Sequence, residues 1–208
     1  MSKKRRNKSQ RWLKEHKSDV YVKQANFEGY RSRAVYKLAQ IDVRDRLFVP
    51  GMTVVDLGAA PGGWSQWVTQ RLHNQVRVFA LDILPIEPLP GVTFIQGDFR
   101  EQAVLSMLLT QLGEHKVSLV MSDMAPNISG MKAIDQPRAI ELAELARDLA
   151  QDVLVTDGHL LTKVFQGEGF DSYVKALKAY FRQVVIRKPE ASRLNSSEVY
   201  VLAKHYVV

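Results

Sequence analysis

The residues best equipped for chemistry are acids and lysines that punctuate apolar runs. Val76 to Leu81 precedes Asp82, Val92 to Ile95 precedes Gly97 and Asp98, Val117 to Met121 precedes Ser122 and Asp123, and His159 to Thr162 ends in Lys163. Taken singly, each acid reads as readily as a turn residue or a helix cap. Their recurrence at successive run ends sets them apart. If the runs are parallel strands, these polar side chains converge on one crevice, because ligands of open parallel sheets lie beyond the strands' carboxyl ends. Several carboxylates in one crevice suit a cationic ligand and disfavour a pyrophosphate, whose charge has the same sign as theirs. Lys163 adds a different capacity, since an amine lacking its third proton can take one from a hydroxyl. Free lysine titrates at about 10.4, and burial or a neighbouring cation lowers that value. Lys37 could supply the neighbouring charge, with Asp123 and Glu198 orienting the two amines. For a lone lysine beside an apolar stripe, a solvated position is the ordinary outcome.

The stretch that must position these groups is Val54 to Trp64, VVDLGAAPGGW. Thr53 to Leu57 reads as a strand covered on both faces, and Gly58, Gly62 and Gly63 allow a sharp turn into a helix over Trp64 to Leu72. The free N–H groups of that helix would point at whatever occupies the turn. By itself the turn also fits an ordinary tight connection between strand and helix. Upstream, Ser32 is a candidate N-cap for a helix from Arg33 to about Arg46, with Ala34, Val35, Leu38, Ile41 and Leu47 as its apolar stripe. Trp12 to Glu28 has mixed helical spacing. Downstream, Pro85, Pro88 and Pro90 mark an irregular loop over Ile83 to Pro90. Glu101 to Leu112 reads as a helix closed by Gly113. Asp123 leads into a flexible segment containing Gly130, and Pro137 suits the first turn of a helix reaching about Val153. Asp171 can cap a helix ending near Phe181, and Val184 to Arg187 and Glu198 to Ala203 read as the last two strands.

This alternation specifies an α/β fold with a mostly parallel sheet and helices on both faces. The helix followed by two closely spaced strands suggests a terminal antiparallel hairpin, the Rossmann-like, seven-stranded arrangement associated with S-adenosylmethionine-dependent methyltransferases. At 208 residues, 46% of them hydrophobic, the chain can bury its core as one domain. Residues 1–30 read as a basic, partly disordered N-terminal arm and 31–208 as a single catalytic domain. The absence of cysteine excludes disulfides and thiolate nucleophiles. His16, His73, His115, His159 and His205 show no metal-ligand spacing, so no metal is expected. No apolar run approaches the ~20 residues that cross a bilayer, and a cytoplasmic monomer without membrane contact is the expectation. The net charge of +7 is concentrated at the start. Residues 1–37 carry 12 Lys or Arg against Glu15, Asp19 and Glu28, while the remainder carries 17 basic and 19 acidic residues. Such an arm serves either solubility or polyanion binding, and Trp12, Tyr21, Phe27 and Tyr30 within it could pack on the domain or stack on bases.

For an adenosyl cofactor, Asp82 is placed to accept both ribose hydroxyls, Asp98 to face the adenine amino edge, and the Gly58, Gly62 and Trp64 backbone to approach the amino-acid portion. Asp123 would favour a nearby sulfonium. Enzymes of this fold that methylate amines commonly carry Asp/Asn-Pro-Pro-aromatic after the fourth strand, whereas this chain has DMAPN, which leaves a hydroxyl acceptor activated by Lys163. Methylation of a small molecule or a protein, or a noncatalytic RNA-binding assembly factor that kept the fold, stay open on these residues.

VVDLGAAPGGWSQ, MSDMAPNISG, KVFQGEGF and SRLNSSEVY, with SRAVYKL upstream, resemble the FtsJ (RrmJ) family of RNA ribose 2′-O-methyltransferases over about Arg31 to Leu202, most closely its bacterial members acting on large-subunit ribosomal RNA. The resemblance implies a catalytic tetrad of Lys37, Asp123, Lys163 and Glu198, with Lys163 as proton acceptor. It implies S-adenosyl-L-methionine held by Gly62, Trp64, Asp82, Asp98 and Asp123, and as substrate a uridine in the A-loop of 23S ribosomal RNA within the large (50S) subunit. Leu194 and Asn195 depart from the family's more basic segment before Glu198. The RNA groove implied by the family leaves Arg31, Arg33, Arg182, Arg187, Lys188 and Arg193 without individual assignments.

Overall fold

The alternation of apolar runs with amphipathic segments becomes one seven-stranded sheet. The computed structural model describes residues 19–193 and 196–207. Its strands are β1 (Thr53–Leu57), β2 (Arg77–Asp82), β3 (Val92–Gln96), β4 (Val117–Ser122), β5 (Leu154–Phe165), β6 (Phe181–Arg187) and β7 (Glu198–Tyr206), in the order β3-β2-β1-β4-β5-β7-β6. β1 to β5 pair in parallel, and β7 enters antiparallel between β5 and β6. The order reverses between β1 and β4, and ligands of such sheets bind beside that switch point. The helices are α1 (Val20–Glu28), α2 (Val35–Asp45), α3 (Gly63–Arg71), α4 (Gln102–Leu112), α5 (Lys132–Val153) and α6 (Phe170–Leu177). Among the described residues no helix is long and apolar enough to cross a membrane.

All of β1 is buried, and its alternate residues serve opposite faces of the sheet. Val54 packs with Val78, Leu119, Leu161 and Leu202 beneath α2 and α3. Val55 and Leu57 pack with Phe79, Leu81, Val120 and Leu160 beneath α4, α5 and α6. Each fully buried aliphatic side chain contributes roughly 1.5–3 kcal/mol, against about 0–1 for an exposed ion pair, so the apolar layers hold the scaffold and the polar groups above them are free to serve chemistry.

Several local expectations are corrected. Ser32 does not cap α2 through its side chain. The chain enters that helix through a tight turn in which the Val35 N–H donates to the Ser32 carbonyl, and a Cβ on Gly63 would stand 2.5 Å from Ser32 Oγ. α5 starts at Lys132, so Pro137 lies inside it rather than in its first turn. The segment before it is held, because the buried Asp135 carboxylate accepts from the Ser129 N–H and hydroxyl and from the Gly130 N–H. Gly169, in the left-handed region, occupies the N-cap position of α6 in place of Asp171, and Phe181 opens β6 rather than closing the helix. β5 extends beyond His159 to Thr162 in both directions, back to Leu154, which pairs with Val117 of β4, and on to Phe165, where β7 supplies the partner. α1 starts at Val20, capped by Asp19, whose Oδ1 accepts the Tyr21 N–H at 3.0 Å. The readings placed on Trp12, on residues 1–10, and on Leu194 and Asn195 lie outside the described residues.

Candidate active site

The carboxyl ends of β1 to β4, with the point where β5 leaves β4, define one edge of the sheet. β4 and β5 pair as far as Ser122 and Thr162, so Asp123 and Lys163 emerge side by side. Lys163 Nζ stands 3.1 Å from Asp123 Oδ1 and also donates to the Asp123 carbonyl. β7 runs the other way and therefore begins at this same edge, pairing Glu198 with Phe165 and Tyr200 with Lys163. Lys37, in the first turn of α2, reaches down to it and donates to Glu198 Oε1 at 2.6 Å.

Tyr200 joins the two ion pairs. Its hydroxyl donates to Asp123 Oδ1 at 2.7 Å, and Lys37 Nζ lies 5.7 Å from the centre of its ring. Lys37, Asp123, Lys163 and Glu198 thus form one cluster despite their separation along the chain. Their side chains are 13%, 20%, 8% and 15% exposed, respectively, which leaves them shielded yet open to a ligand. Sequence reasoning gave no role to Tyr200, which reads as an ordinary strand aromatic. Its position two residues after Glu198, hence on the same strand face, was the available signal. Ser192 is a second omission, its hydroxyl donating to Glu198 Oε1 at 3.3 Å.

The electrostatics follow from this geometry. Burial alone would raise the Asp123 carboxyl, but the Lys163 and Lys37 ammonium groups and the Tyr200 hydroxyl outweigh it and hold the acid below its ordinary value. Burial and then the Asp123 and Glu198 carboxylates push the Tyr200 phenol well above 10, so it remains a donor.

The other half of the edge is built on the glycine-rich turn. Gly62 occupies the N-cap position of α3 with φ of 101°, a left-handed conformation that side chains resist. Asp82 spans two loops, since Oδ2 accepts from the Ala60 N–H at 2.8 Å and Oδ1 from the Leu84 N–H at 2.9 Å. Asp98 lies further along, with both oxygens engaged by Arg100, whose hydrogen bonds hold the acid below its ordinary value. The Trp64 side chain turns away from the crevice. It is buried, donates from Nε1 to the Ala34 carbonyl at 2.8 Å and packs on Tyr200 with ring centres 5.7 Å apart, leaving only its backbone toward the turn.

Asp56 was absorbed into the apolar run and is the further surprise. It is fully buried on β1, its Oδ2 accepts from the Ser65 hydroxyl at 2.6 Å, and its Oδ1 has no partner among the described residues. Burial raises its carboxyl to about 7 against the opposing Ser65 hydrogen bond, with Asp123 and Asp82 adding to the rise. With one oxygen unpartnered and no exposure to solvent, Asp56 is held toward its protonated form.

Most arginines considered for an RNA groove have protein partners instead. Arg33 joins Asp19 to the Ala191 carbonyl, Arg187 is held by Asp45 in two hydrogen bonds of 2.7 Å, and Arg182 pairs with Asp157 at the opposite end of the sheet. Lys188 donates to the Ser196 and Glu198 carbonyls. Tyr21 and Tyr30 pack against Tyr36, whereas Phe27 is exposed.

With this geometry in place, comparison with known proteins decides the family. The FtsJ-like methyltransferase profile matches residues 30–206. This chain belongs to the FtsJ-like methyltransferases. The ribosomal RNA large subunit methyltransferase E of Hydrogenovibrio crunogenus is 58% identical over 193 residues, which cover 93% of this chain and 94% of that one. A Plasmodium falciparum crystal structure assigned as a ribosomal RNA methyltransferase superposes with a TM-score of 0.77 at 27% identity, covering 85% of this chain and 98% of that one. A Lactococcus lactis structure described as a hemolysin, at 16% identity and TM-score 0.60 over 83% and 86% of the two chains, shares the fold alone. As a member of the family, the chain is an enzyme that uses a methyl donor.

Proposed function

We propose that this methyltransferase transfers the methyl group of S-adenosylmethionine to a ribose 2′-hydroxyl of large-subunit ribosomal RNA, with a uridine of the A-loop as the target the family resemblance implies. The observation that carries the reading is the joining of Lys163–Asp123 to Lys37–Glu198 through Tyr200 beside a carboxylate-lined glycine turn. The large-subunit relative supports the substrate class.

When bound, S-adenosylmethionine supplies a methyl group made electrophilic by its sulfonium. Asp82 would hold the cofactor ribose, Asp98 the adenine amino edge, and the Gly62 to Trp64 backbone would leave room for the amino-acid portion. Ionised Asp123 would favour positive charge there. Once Lys163 has given up its third proton to solvent, its neutral Nζ would take the proton of the acceptor hydroxyl. Asp123 and Tyr200 fix the position of that nitrogen, while Lys37, anchored by Glu198, presents its charge beside the developing alkoxide. A positioned base contributes on the order of 10²–10⁴ in rate, and alignment of hydroxyl and methyl donor supplies a larger share. The basic arm and residues 31–208 act in this reading as an RNA-attracting extension and one catalytic domain.

The test is transfer of tritium from labelled cofactor to purified large subunits, followed by nuclease mapping of the labelled ribose. Lys163→Ala is expected to lose roughly 10²–10⁴ in turnover while binding S-adenosylmethionine as the parent does in calorimetry. Equal turnover would remove Lys163 from the chemistry, and label on protein or on a base would overturn the ribose assignment.

A further inference from the structure

The loop over residues 83–90 borders the proposed cofactor crevice but carries little structure of its own. Its three prolines have no N–H to donate, and its fastening falls to a few side chains. From inside the crevice, Asp82 joins it to the glycine-rich turn by accepting from Leu84 and Ala60. From outside, Arg31 spans the same two segments. Its NH1 donates to the Pro61 carbonyl at 3.2 Å and the Glu87 carbonyl at 2.6 Å, and its NH2 donates to the Pro88 carbonyl at 3.0 Å.

The guanidinium lies so close over the turn that a Cβ on Gly62 would come within 3.0 Å of NH1 and 3.1 Å of Leu89 Cδ1. The chain carrying Arg31 is itself secured to α3, because Gln66 accepts the Arg31 N–H at 3.0 Å and donates to the Gly29 carbonyl at 2.9 Å. A planar fork with five donors can hold carbonyls on two separate loops at once, which a lysine ammonium does less well.

We infer that Arg31 is a positioning residue for the cofactor, clasping the 83–90 loop to the glycine-rich turn so that the crevice keeps its width when Asp82 turns its oxygens to a ribose. The inference rests on the S-adenosylmethionine reading above. It also separates Arg31 from a phosphate-binding role, since three of its N–H groups are already committed to main-chain carbonyls.

Arg31→Lys, which keeps the charge, and Arg31→Ala test it in three measurements. Calorimetry should show S-adenosylmethionine binding weakened roughly tenfold in Arg31→Lys and more in Arg31→Ala. In steady-state assays the KM for cofactor should rise by a similar factor, with kcat at saturation changing less than about twofold and the KM for large subunits unchanged in Arg31→Lys. Hydrogen exchange on the protein alone should quicken at the amides between Ile83 and Leu89 and not in the β1 or β4 core.

Cofactor affinity within twofold of the parent, or a rise confined to the KM for subunits, would overturn the inference and make Arg31 an RNA contact. Unchanged loop exchange would overturn it as well. If the unsubstituted chain fails to bind S-adenosylmethionine, the proposed function falls, while the exchange measurement still decides whether Arg31 holds the loop.

Discussion

The two halves of the crevice are made by different means. The half beside β1 to β3 is local. Gly62, Trp64, Asp82 and Asp98 follow one another along the chain, and Asp82 is oriented by backbone N–H groups a few residues from the strands that carry them. The half beside β4, β5 and β7 is assembled from distant segments, with Lys37 from α2 and Glu198 from the last strand meeting over Tyr200. The first half is fastened to main-chain groups by single side chains, Asp82 and Arg31. A cluster of opposed charges at 8–20% exposure depends on every member, because removing one leaves another unpaired.

The comparison can be broken first at its largest predicted contrast. If Lys163→Ala removes turnover and spares affinity, Asp82→Asn should do the reverse. The amide presents a donor where two N–H groups need acceptors, so binding of S-adenosylmethionine should weaken by about 10–100-fold in calorimetry, with a smaller fall in kcat. Equal losses in both parameters for both variants would mean that the halves do not act separately.

Tyr200→Phe sharpens the contrast at smaller amplitude. It deletes the hydroxyl donated to Asp123 while keeping the ring against Trp64. The expected result is a roughly tenfold lower kcat with cofactor affinity preserved and a melting temperature close to the parent's.

The last effect concerns stability rather than turnover. The Asp56 carboxyl, raised to about 7 from an ordinary 3.8, stabilises the fold when protonated. That contribution is complete below about pH 4 and is lost as pH climbs through about 7. Asp56→Asn should therefore be more stable than the parent at pH 8, by on the order of 1–4 kcal/mol in urea unfolding, with the gap closing toward pH 4. A gap independent of pH would show that Asp56 is not the titrating group.

The same division governs what could be read from the chain. The strand-turn-helix of the glycine-rich segment and the acids at run ends are short-range patterns, and each falls at the sheet edge where the reading put it. The antiparallel hairpin was legible from its spacing. Beyond the local corrections at Ser32, Pro137 and Asp171, the failures are non-local. Lys163 seemed to close a strand because β7, which prolongs β5 to Phe165, lies far away in sequence. Asp56 passed unremarked within the run from Thr53 to Leu57, and its lack of a second partner exists only in three dimensions. Arg33 and Arg187 stood among the unassigned residues of an RNA groove, and the structure pairs them with Asp19 and Asp45. Pattern reports which face a residue occupies and is silent about what waits opposite.

The placement of β7 has a consequence for biogenesis. This strand brings Glu198 and Tyr200 to the cluster and is threaded between two earlier neighbours, yet it follows them all in order of synthesis. A nascent polypeptide can arrange β1 to β4 and their glycine turn while still being elongated. In the proposed reading, Lys37 gains its Glu198 anchor and Asp123 its Tyr200 donor only once β7 has joined the sheet, so a product lacking that strand is expected to be inert.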